Sequence, residues 1–452
     1  MAPLLKRALK ALPADEGVGS TGGGGIVWAA GKARRKPDFV TVTRGPGMLS
    51  NLTVGLMTAK SLAVAWDVPL LAVHHMEAHA LTPRLVHALE QGKLASPATE
   101  TASSSSSSAS SADEDGKSDT DDEKMTKKQE NDTGAPGRTE FPFLSLLVSG
   151  GHSLLVHSRG LNDHSILAEA HNIAIGDLLD KCARVILPES YIAAAPDVMY
   201  GRLLEEFAFP TSAGSPKGWD AAEIVDQGYE YAPPRTKLDE KRTYRSQARG
   251  WSLTPPLHES AAMRFDFSGL NGRVHAIMRG DPSALPPRGG GGGGEDVGVN
   301  INAHPLSVRN RRELARVTMR IAFEHLASRL LMALKKLAPK VQEKEEGPQL
   351  RAIKTVVVSG GVASNKYLRH ILRAMLDARG FAGVEIVCPP VHLCTDNAAM
   401  IAWAGMEMYE AGWRSELDVR PIKKWPLDPG GEGEGGVLGV PGWYSEKQPV
   451  GE

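Results

Sequence analysis

His75 and His79 stand four residues apart in the segment Val73-His74-His75-Met76-Glu77-Ala78-His79. On a helix that spacing stacks both imidazoles on one face, one turn apart, where they can share a divalent metal. Glu77 lies two residues from each and points elsewhere. The order is His-x-Glu-x-His, and Met76 occupies the place where a metalloprotease carries its water-activating glutamate. His74 projects off the shared face and reads as a structural or supporting histidine. Two imidazoles do not close a site, so a third donor is required. Asp396, in Cys394-Thr395-Asp396-Asn397, is the candidate, although an aspartate at a helix start is ordinarily an N-cap.

Two glycine clusters offer backbone chemistry instead. Ser149-Gly150-Gly151 joins a strand over 143–148 to one over 153–157, a hairpin reading. Paired glycines let backbone N–H groups approach a phosphate without Cβ interference, and Ser149 adds a hydroxyl; a turn that needs positive φ would explain them equally well. Ser359-Gly360-Gly361-Val362-Ala363-Ser364-Asn365 leads from a strand over 353–358 into a helix, with Ser364 or Asn365 placed to cap it. Such a junction suits a phosphate or adenylate. It is neither a Walker loop nor a Gly-x-Gly-x-x-Gly fingerprint.

The elements that must position these groups follow from hydrophobic spacing. A strand is expected over 39–43 and another over 70–73, running straight into the histidines. Between them a helix over 49–66 has Leu49, Leu52, Leu56, Ala59 and Ala63 on its buried face. Bare apolar strands alternating with amphipathic helices indicate the α/β class. Met1–Pro13 reads as a short basic amphipathic helix that belongs to the fold.

Composition limits what else the chain can be. Its 452 residues carry a net charge of −1, so any nucleic-acid site must be a local basic patch. Arg235–Arg249 and Arg309–Arg320 are the two candidates. Three cysteines, Cys182, Cys388 and Cys394, are too few and too scattered for a disulfide framework or a cysteine-rich zinc site, which favours a reducing compartment. No apolar run reaches the roughly 18 residues of a membrane span. Serine-rich and acidic sequence over 91–139 cannot bury enough surface to order itself and is expected to be a disordered insertion. The glycine run makes 281–304 a second flexible insertion, 341–349 a charged turn, and residues after Pro421 a tail.

Taken in order, these motifs form a series. Gly45-Pro46-Gly47, His74-His75-Met76-Glu77-Ala78-His79 and Leu147-Val148-Ser149-Gly150-Gly151-His152 come first. Ile175-Gly176-Asp177-Leu178-Leu179-Asp180-Lys181, Phe265-Asp266-Phe267-Ser268-Gly269-Leu270, Ser359 to Asn365 and Cys394-Thr395-Asp396-Asn397 follow. From about Arg44 to Gly405 the chain resembles the TsaD/Gcp family, in its bacterial and mitochondrial branch. The resemblance implies an actin/Hsp70-like (ASKHA) fold of two α/β lobes. It divides the chain into a first lobe over 1–90, a second over 140–394, and a closing helix over 395–420 that returns to the first. It implies transfer of a threonylcarbamoyl group from threonylcarbamoyl-AMP to N6 of the tRNA adenosine 3′ of the anticodon, forming t6A in mitochondrial tRNAs that read ANN codons. His75, His79 and Asp396 would hold one divalent ion, iron or zinc. Leu147, Val148, Ser149, Gly150, Gly151, Asp180 and Asn365 would line the adenylate site. A homodimer, a mitochondrial location and no membrane association are further expectations.

The chain also departs from the family pattern. No Glu-Thr-Ser-Cys-Asp block occurs, so the first lobe is expected to be incomplete. Tyr191-Ile192-Ala193-Ala194-Ala195-Pro196 replaces Tyr-Pro-Gly-Gly-Pro, and Asn271 stands where a lysine usually follows Ser-Gly-Leu. Two other readings remain at this level: a metalloendopeptidase, and an inactive scaffold without the first phosphate hairpin.

Overall fold

The structure, a computed structural model, describes residues 2–14, 25–95, 139–193, 195, 199–210, 229–246, 250–281, 306–338, 352–390, 393, 396–428 and 436–447. Its elements begin with α1 (Ala2–Ala11), β1 (Ile26–Ala29), β2 (Lys32–Arg35), β3 (Val40–Gly45), α2 (Leu49–Trp66), β4 (Leu70–His74) and α3 (His75–Ala95). Next come β5 (Phe143–Val148), β6 (Ser153–Ser158), β7 (His164–Glu169), α4 (Ile175–Ile186), α5 (Glu189–Ala193), α6 (Tyr200–Ala208), β8 (Tyr244–Arg245), β9 (Ser252–Leu253), α7 (Ser268–Arg279) and α8 (Val308–Leu337). The chain finishes with β10 (Thr355–Ser359), α9 (Lys366–Ala378), β11 (Glu385–Val387), α10 (Ala398–Glu410), β12 (Trp413–Ser415) and β13 (Trp443–Ser445).

Two sheets carry the site. The first runs β13-β12-β4-β3, with β3 and β4 parallel and β12 antiparallel to β4. The second runs β11-β10-β5-β6-β7, with β10 parallel to both β11 and β5. β5 is buried along its whole length, as a strand apolar at every position but Ser145 requires. β10 lies beside β5 with Ser359 opposite Leu147, so the two Ser-Gly-Gly turns leave neighbouring parallel strands at the same edge. The carboxyl ends of such strands are where α/β sheets open onto ligands.

Packing follows the same division. Leu178, Phe207, Val274, Phe323 and Leu372, from α4, α6, α7, α8 and α9, share one core with β5 and β10. On the first sheet, Leu71 and Val73 of β4 pack with Leu81 of α3 and Met400 and Ala404 of α10. α10 thus comes back to the sheet from which α3 departs. On α2 the spacing reading held for Leu52, Leu56, Ala59 and Ala63, which are buried; Leu49, expected on that face, is exposed at the first turn. The fold is mixed α/β.

Three expectations about the irregular segments meet the structure differently. α3 continues through Gln91 to Ala95, and the rest of the expected insertion, residues 96–138, lies outside the described residues, as do 282–305 and 339–351. Thr139, at the far end of that insertion, is buried, and its carbonyl accepts a hydrogen bond of 2.7 Å from Arg84 Nη1. The expected tail is not one. Trp425, Leu427 and Val437 are buried between Met76 of α3 and Leu147, Leu154 and Val156 of the β5–β6 hairpin, and β13 pairs with β12. These apolar anchors are spaced among glycines and prolines without a period, so composition concealed them.

Candidate metal centre

His74 ends β4 and starts the helix. Its Nδ1 accepts from the N–H of Met76 at 3.1 Å and of Glu77 at 3.3 Å, two of the donors that a helix start leaves unpaired. Nε2 therefore carries the proton and donates to the carbonyl of Trp425 at 3.0 Å. Burial pushes the His74 pKa down to about 3 and keeps the ring neutral, as this double role demands. With α3 starting at His75, the two outward imidazoles fall one turn apart, their centroids separated by 4.8 Å.

Asp396 meets them from the other side of the chain. Its Oδ1 lies 3.0 Å from His79 Nε2 and 3.5 Å from His75 Nε2. One donor atom from each of the three residues falls within 4.8 Å of the others. The two imidazoles hold the Asp396 carboxyl well below the usual carboxylate range. The N-cap role that competed for Asp396 belongs to Asn397, whose side chain accepts from Met400 N–H at 2.9 Å. Asp396 is free of the helix it precedes. Two imidazole nitrogens and one carboxylate oxygen suit zinc or iron. The Asp396 side chain is 77% exposed, so the site is open on one side, as a catalytic rather than structural centre requires.

Glu77 takes no part. It is fully buried, with Oε1 at 3.9 Å from His164 Nε2, and burial pushes its carboxyl up. A carboxyl so placed is no water-activating base, and the neighbouring position is Met76; nothing here supports the peptidase reading.

The first glycine turn is joined to this centre by packing: Met76, next to His75, shares a buried cluster with Leu147 and Leu154 of the hairpin that carries it, and the second turn meets the first where Gly360 abuts Val148. Burial, with His75 as a further cause, pushes the His152 pKa down. Gly150 and Gly151 do not adopt positive φ, and a Cβ on either would meet nothing within 4 Å. The tight-turn explanation therefore fails for them, and the open backbone is left for close approach by a ligand. Gly360 differs: its φ is +97° and a Cβ would lie 2.3 Å from the Val148 carbonyl. Gly176 is equally confined, with a Cβ 2.6 Å from the Ser149 carbonyl, which its own N–H meets at 3.1 Å. These two glycines lock β5, β10 and the start of α4 together. Gly360→Ala should cost about 1–3 kcal/mol through forced φ and steric overlap. Gly361→Ala, which has open space, should cost little in the same thermal unfolding measurement.

The other expected lining residues contribute less directly. The side chains of Leu147 and Val148 are buried in the core, so only their backbone can face a substrate. Ser149 Oγ accepts from the N–H groups of Gly151 at 3.3 Å and His152 at 3.0 Å. Asp180 accepts from Gly201 N–H at 2.7 Å, and burial raises its carboxyl. Asn365 caps α9, accepting from Leu368 N–H at 2.9 Å. Of the two basic stretches, Arg309–Arg320 is largely spent inside the protein. Arg312 lies over Phe207, Arg316 over Phe209 and Tyr229, and Arg320 over Tyr244, while Arg311 donates to Ile186 and Leu306 carbonyls. Arg235, Lys241 and Arg245 remain exposed.

One residue pair was invisible in the sequence. Arg84 of α3 and Glu407 of α10 form a buried ion pair at 2.7 Å, joining the helix that holds the histidines to the helix that Asp396 precedes. No local pattern links positions this far apart.

Comparison with known proteins identifies the family. The sequence model described as TsaD, tRNA N6-adenosine threonylcarbamoyltransferase, matches residues 27–108 and 128–403. The mitochondrial tRNA N6-adenosine threonylcarbamoyltransferase of Schizosaccharomyces pombe is 30% identical over 415 residues, 91% of this chain and 70% of that protein. The enzyme of that name from Brucella suis is 30% identical over 400 residues, 88% of this chain and 76% of its own length. Among solved structures, T. kodakarensis HypF covers 86% of this chain at 12% identity with a TM-score of 0.36, and 46% of its own chain is matched; a likeness that low carries no argument. The chain belongs to the TsaD family, the tRNA N6-adenosine threonylcarbamoyltransferases.

Proposed function

We infer that this chain is an acyltransferase that forms t6A, moving a threonylcarbamoyl group onto N6 of the tRNA adenosine immediately 3′ of the anticodon. The observation that carries the reading is the convergence of His75, His79 and Asp396, in a chain that matches the family over most of its length. The acyl donor in this reading is threonylcarbamoyl-AMP. The mitochondrial S. pombe relative supports a mitochondrial location, and mitochondrial tRNAs that read ANN codons are the substrates in this reading. Two lobes of the actin/Hsp70-like class fit the two sheets, one lobe over 1–90 with the helix of 395–420 and the other over 140–394. The exposed side chains of Val54, Met57 and Val64 on α2 would give a homodimer an apolar face. Among the described residues no helix is long and apolar enough to cross a membrane.

The exocyclic amine of adenosine is a weak nucleophile, so the protein's part is to bring two substrates together and to receive charge as it develops. His75, His79 and Asp396 would hold one divalent ion, zinc or iron, which when bound supplies a Lewis acid for acyl or carboxylate oxygens. The turn Ser149-Gly150-Gly151, with the backbone of Leu147 and Val148 leading into it, would border the adenylate phosphate, since nothing lies within 4 Å of where a Cβ on Gly150 or Gly151 would sit and a ligand can come close to the chain there. Asp180 and Asn365, already fixed by Gly201 and Leu368, would border the nucleoside. Among basic surfaces, Arg235, Lys241 and Arg245 are better placed for the tRNA backbone than the α8 arginines, which face aromatic rings.

The test follows AMP. With the purified chain and threonylcarbamoyl-AMP, AMP release should rise with added unmodified tRNA. It should return to background with a transcript carrying guanosine in place of that adenosine. Release indifferent to the RNA would make the protein a hydrolase of the adenylate instead.

A further inference from the structure

The segment over 420–441 is bound to the first sheet at both ends of its described part. Arg44, at the end of β3, donates to the carbonyls of Arg420 at 3.0 Å and Pro441 at 2.9 Å, and its guanidinium lies 5.5 Å from the Trp425 ring centroid. Ile422 N–H returns a bond to the Arg44 carbonyl at 2.9 Å, and Gly47 N–H donates to Lys423 at 3.2 Å. A Cβ on Gly45 would fall 2.1 Å from the Ile422 carbonyl, so the two backbones meet as closely as glycine permits.

The same segment reaches the second sheet. Asp428 Oδ2 accepts from Ile166 N–H of β7 at 2.9 Å. Trp425, Leu427 and Val437 pack against Leu147, Leu154 and Val156 of the hairpin that ends in Ser149-Gly150-Gly151, and against Met76 between the two histidines. Trp425 also presents its carbonyl to His74 Nε2, and the two rings meet edge-on with centroids 4.6 Å apart. His74 turns that contact into helix geometry, because its other nitrogen caps α3 one residue before His75.

We propose that residues 420–428 and 436–441 are a brace that sets the metal ligands against the Ser-Gly-Gly hairpin, and that His74 is the positioning residue through which the brace orients His75 and His79. The proposal rests on reading His75, His79 and Asp396 as a metal centre. A hydrogen-bonded support behind a ligand typically changes metal affinity by about 10–100-fold when removed.

The experiment titrates the metal-free full chain with Zn2+ alone, in competition with a chromophoric chelator, after thermal unfolding has shown each variant folded. His74→Leu removes all three hydrogen bonds at similar volume and should lower Zn2+ affinity by about 10–100-fold. His74→Asn, which keeps an oxygen able to cap the helix, should recover part of the loss. Trp425→Ala leaves His74 in place but strips the ring from behind it, and should lower the affinity in the same direction; it carries the test if His74→Leu does not fold. A folded His74→Leu or Trp425→Ala chain with wild-type affinity overturns the brace. His75→Ala separates this from the underlying reading. If it leaves Zn2+ affinity unchanged, the metal centre fails and the brace with it; if it abolishes binding while His74→Leu does not, the brace alone fails.

Discussion

Exchanging His79 for alanine is expected to reduce t6A formation by at least about 100-fold and to remove the bound divalent ion from the purified protein. The reasoning is geometric. His79 Nε2 makes the shorter of the two contacts to Asp396, 3.0 Å against 3.5 Å for His75, and among the described residues these three donors form the cluster. With one of three gone, the remaining pair cannot hold an ion in competition with water, and the loss should exceed the 10–100-fold typical of supporting groups. Alanine is the best helix former, so α3 itself should persist. Elemental analysis of the purified variant, beside its activity, checks both halves. Retained metal with lost activity would shift His79 from ligand to substrate contact.

Removing Arg84 should cost more stability than any other single change considered. Arg84 and Glu407 are both about nine-tenths buried, and the pair also fastens Thr139 through Arg84 Nη1. Arg84→Ala leaves the Glu407 carboxylate buried without its partner, a situation that costs about 3–5 kcal/mol. Removing both members should be gentler than removing one: Arg84→Met with Glu407→Leu fills the space with apolar groups, which is often neutral for a buried pair. Urea denaturation of the two single variants and the double variant supplies the cycle. A double variant as unstable as the sum of the singles would mean that the pair does not act as a unit. Because the pair ties α3 to α10, the single variants should also loosen Zn2+ binding by the folded protein.

Much of this was legible in the sequence, and the parts that were not share a cause. The helix over 49–66, the strand entering the histidines, the hairpin around Ser149-Gly150-Gly151 and the strand-turn-helix at Ser359–Asn365 each carry a local signal, either a hydrophobic period or a glycine at a junction. His75 and His79 were legible for the same reason, since a four-residue spacing on a helix start is local. Asp396 could be suspected but not separated from an N-cap, because the cap was decided one residue later, by Asn397. The segment after Pro421 was misread because its burial depends on Trp425, Leu427 and Val437 reaching two sheets built from sequence hundreds of residues earlier. The α8 arginines were misread as a surface patch because their aromatic partners, Phe207, Phe209, Tyr229 and Tyr244, lie far back in the chain with no periodic tie to them. Arg84–Glu407 is the extreme case. Each such pairing is a product of topology, which composition and periodicity do not encode.

Nucleoside analysis of tRNA tests the central claim most directly. Unmodified tRNA is incubated with threonylcarbamoyl-AMP and either the wild-type chain or its His79→Ala variant, digested, and examined by mass spectrometry for t6A. The account predicts t6A from the wild-type chain, at the adenosine 3′ of the anticodon, and at most about one hundredth as much from the variant. No t6A from a folded, metal-loaded wild-type chain, or equal yields from the two proteins, would contradict it.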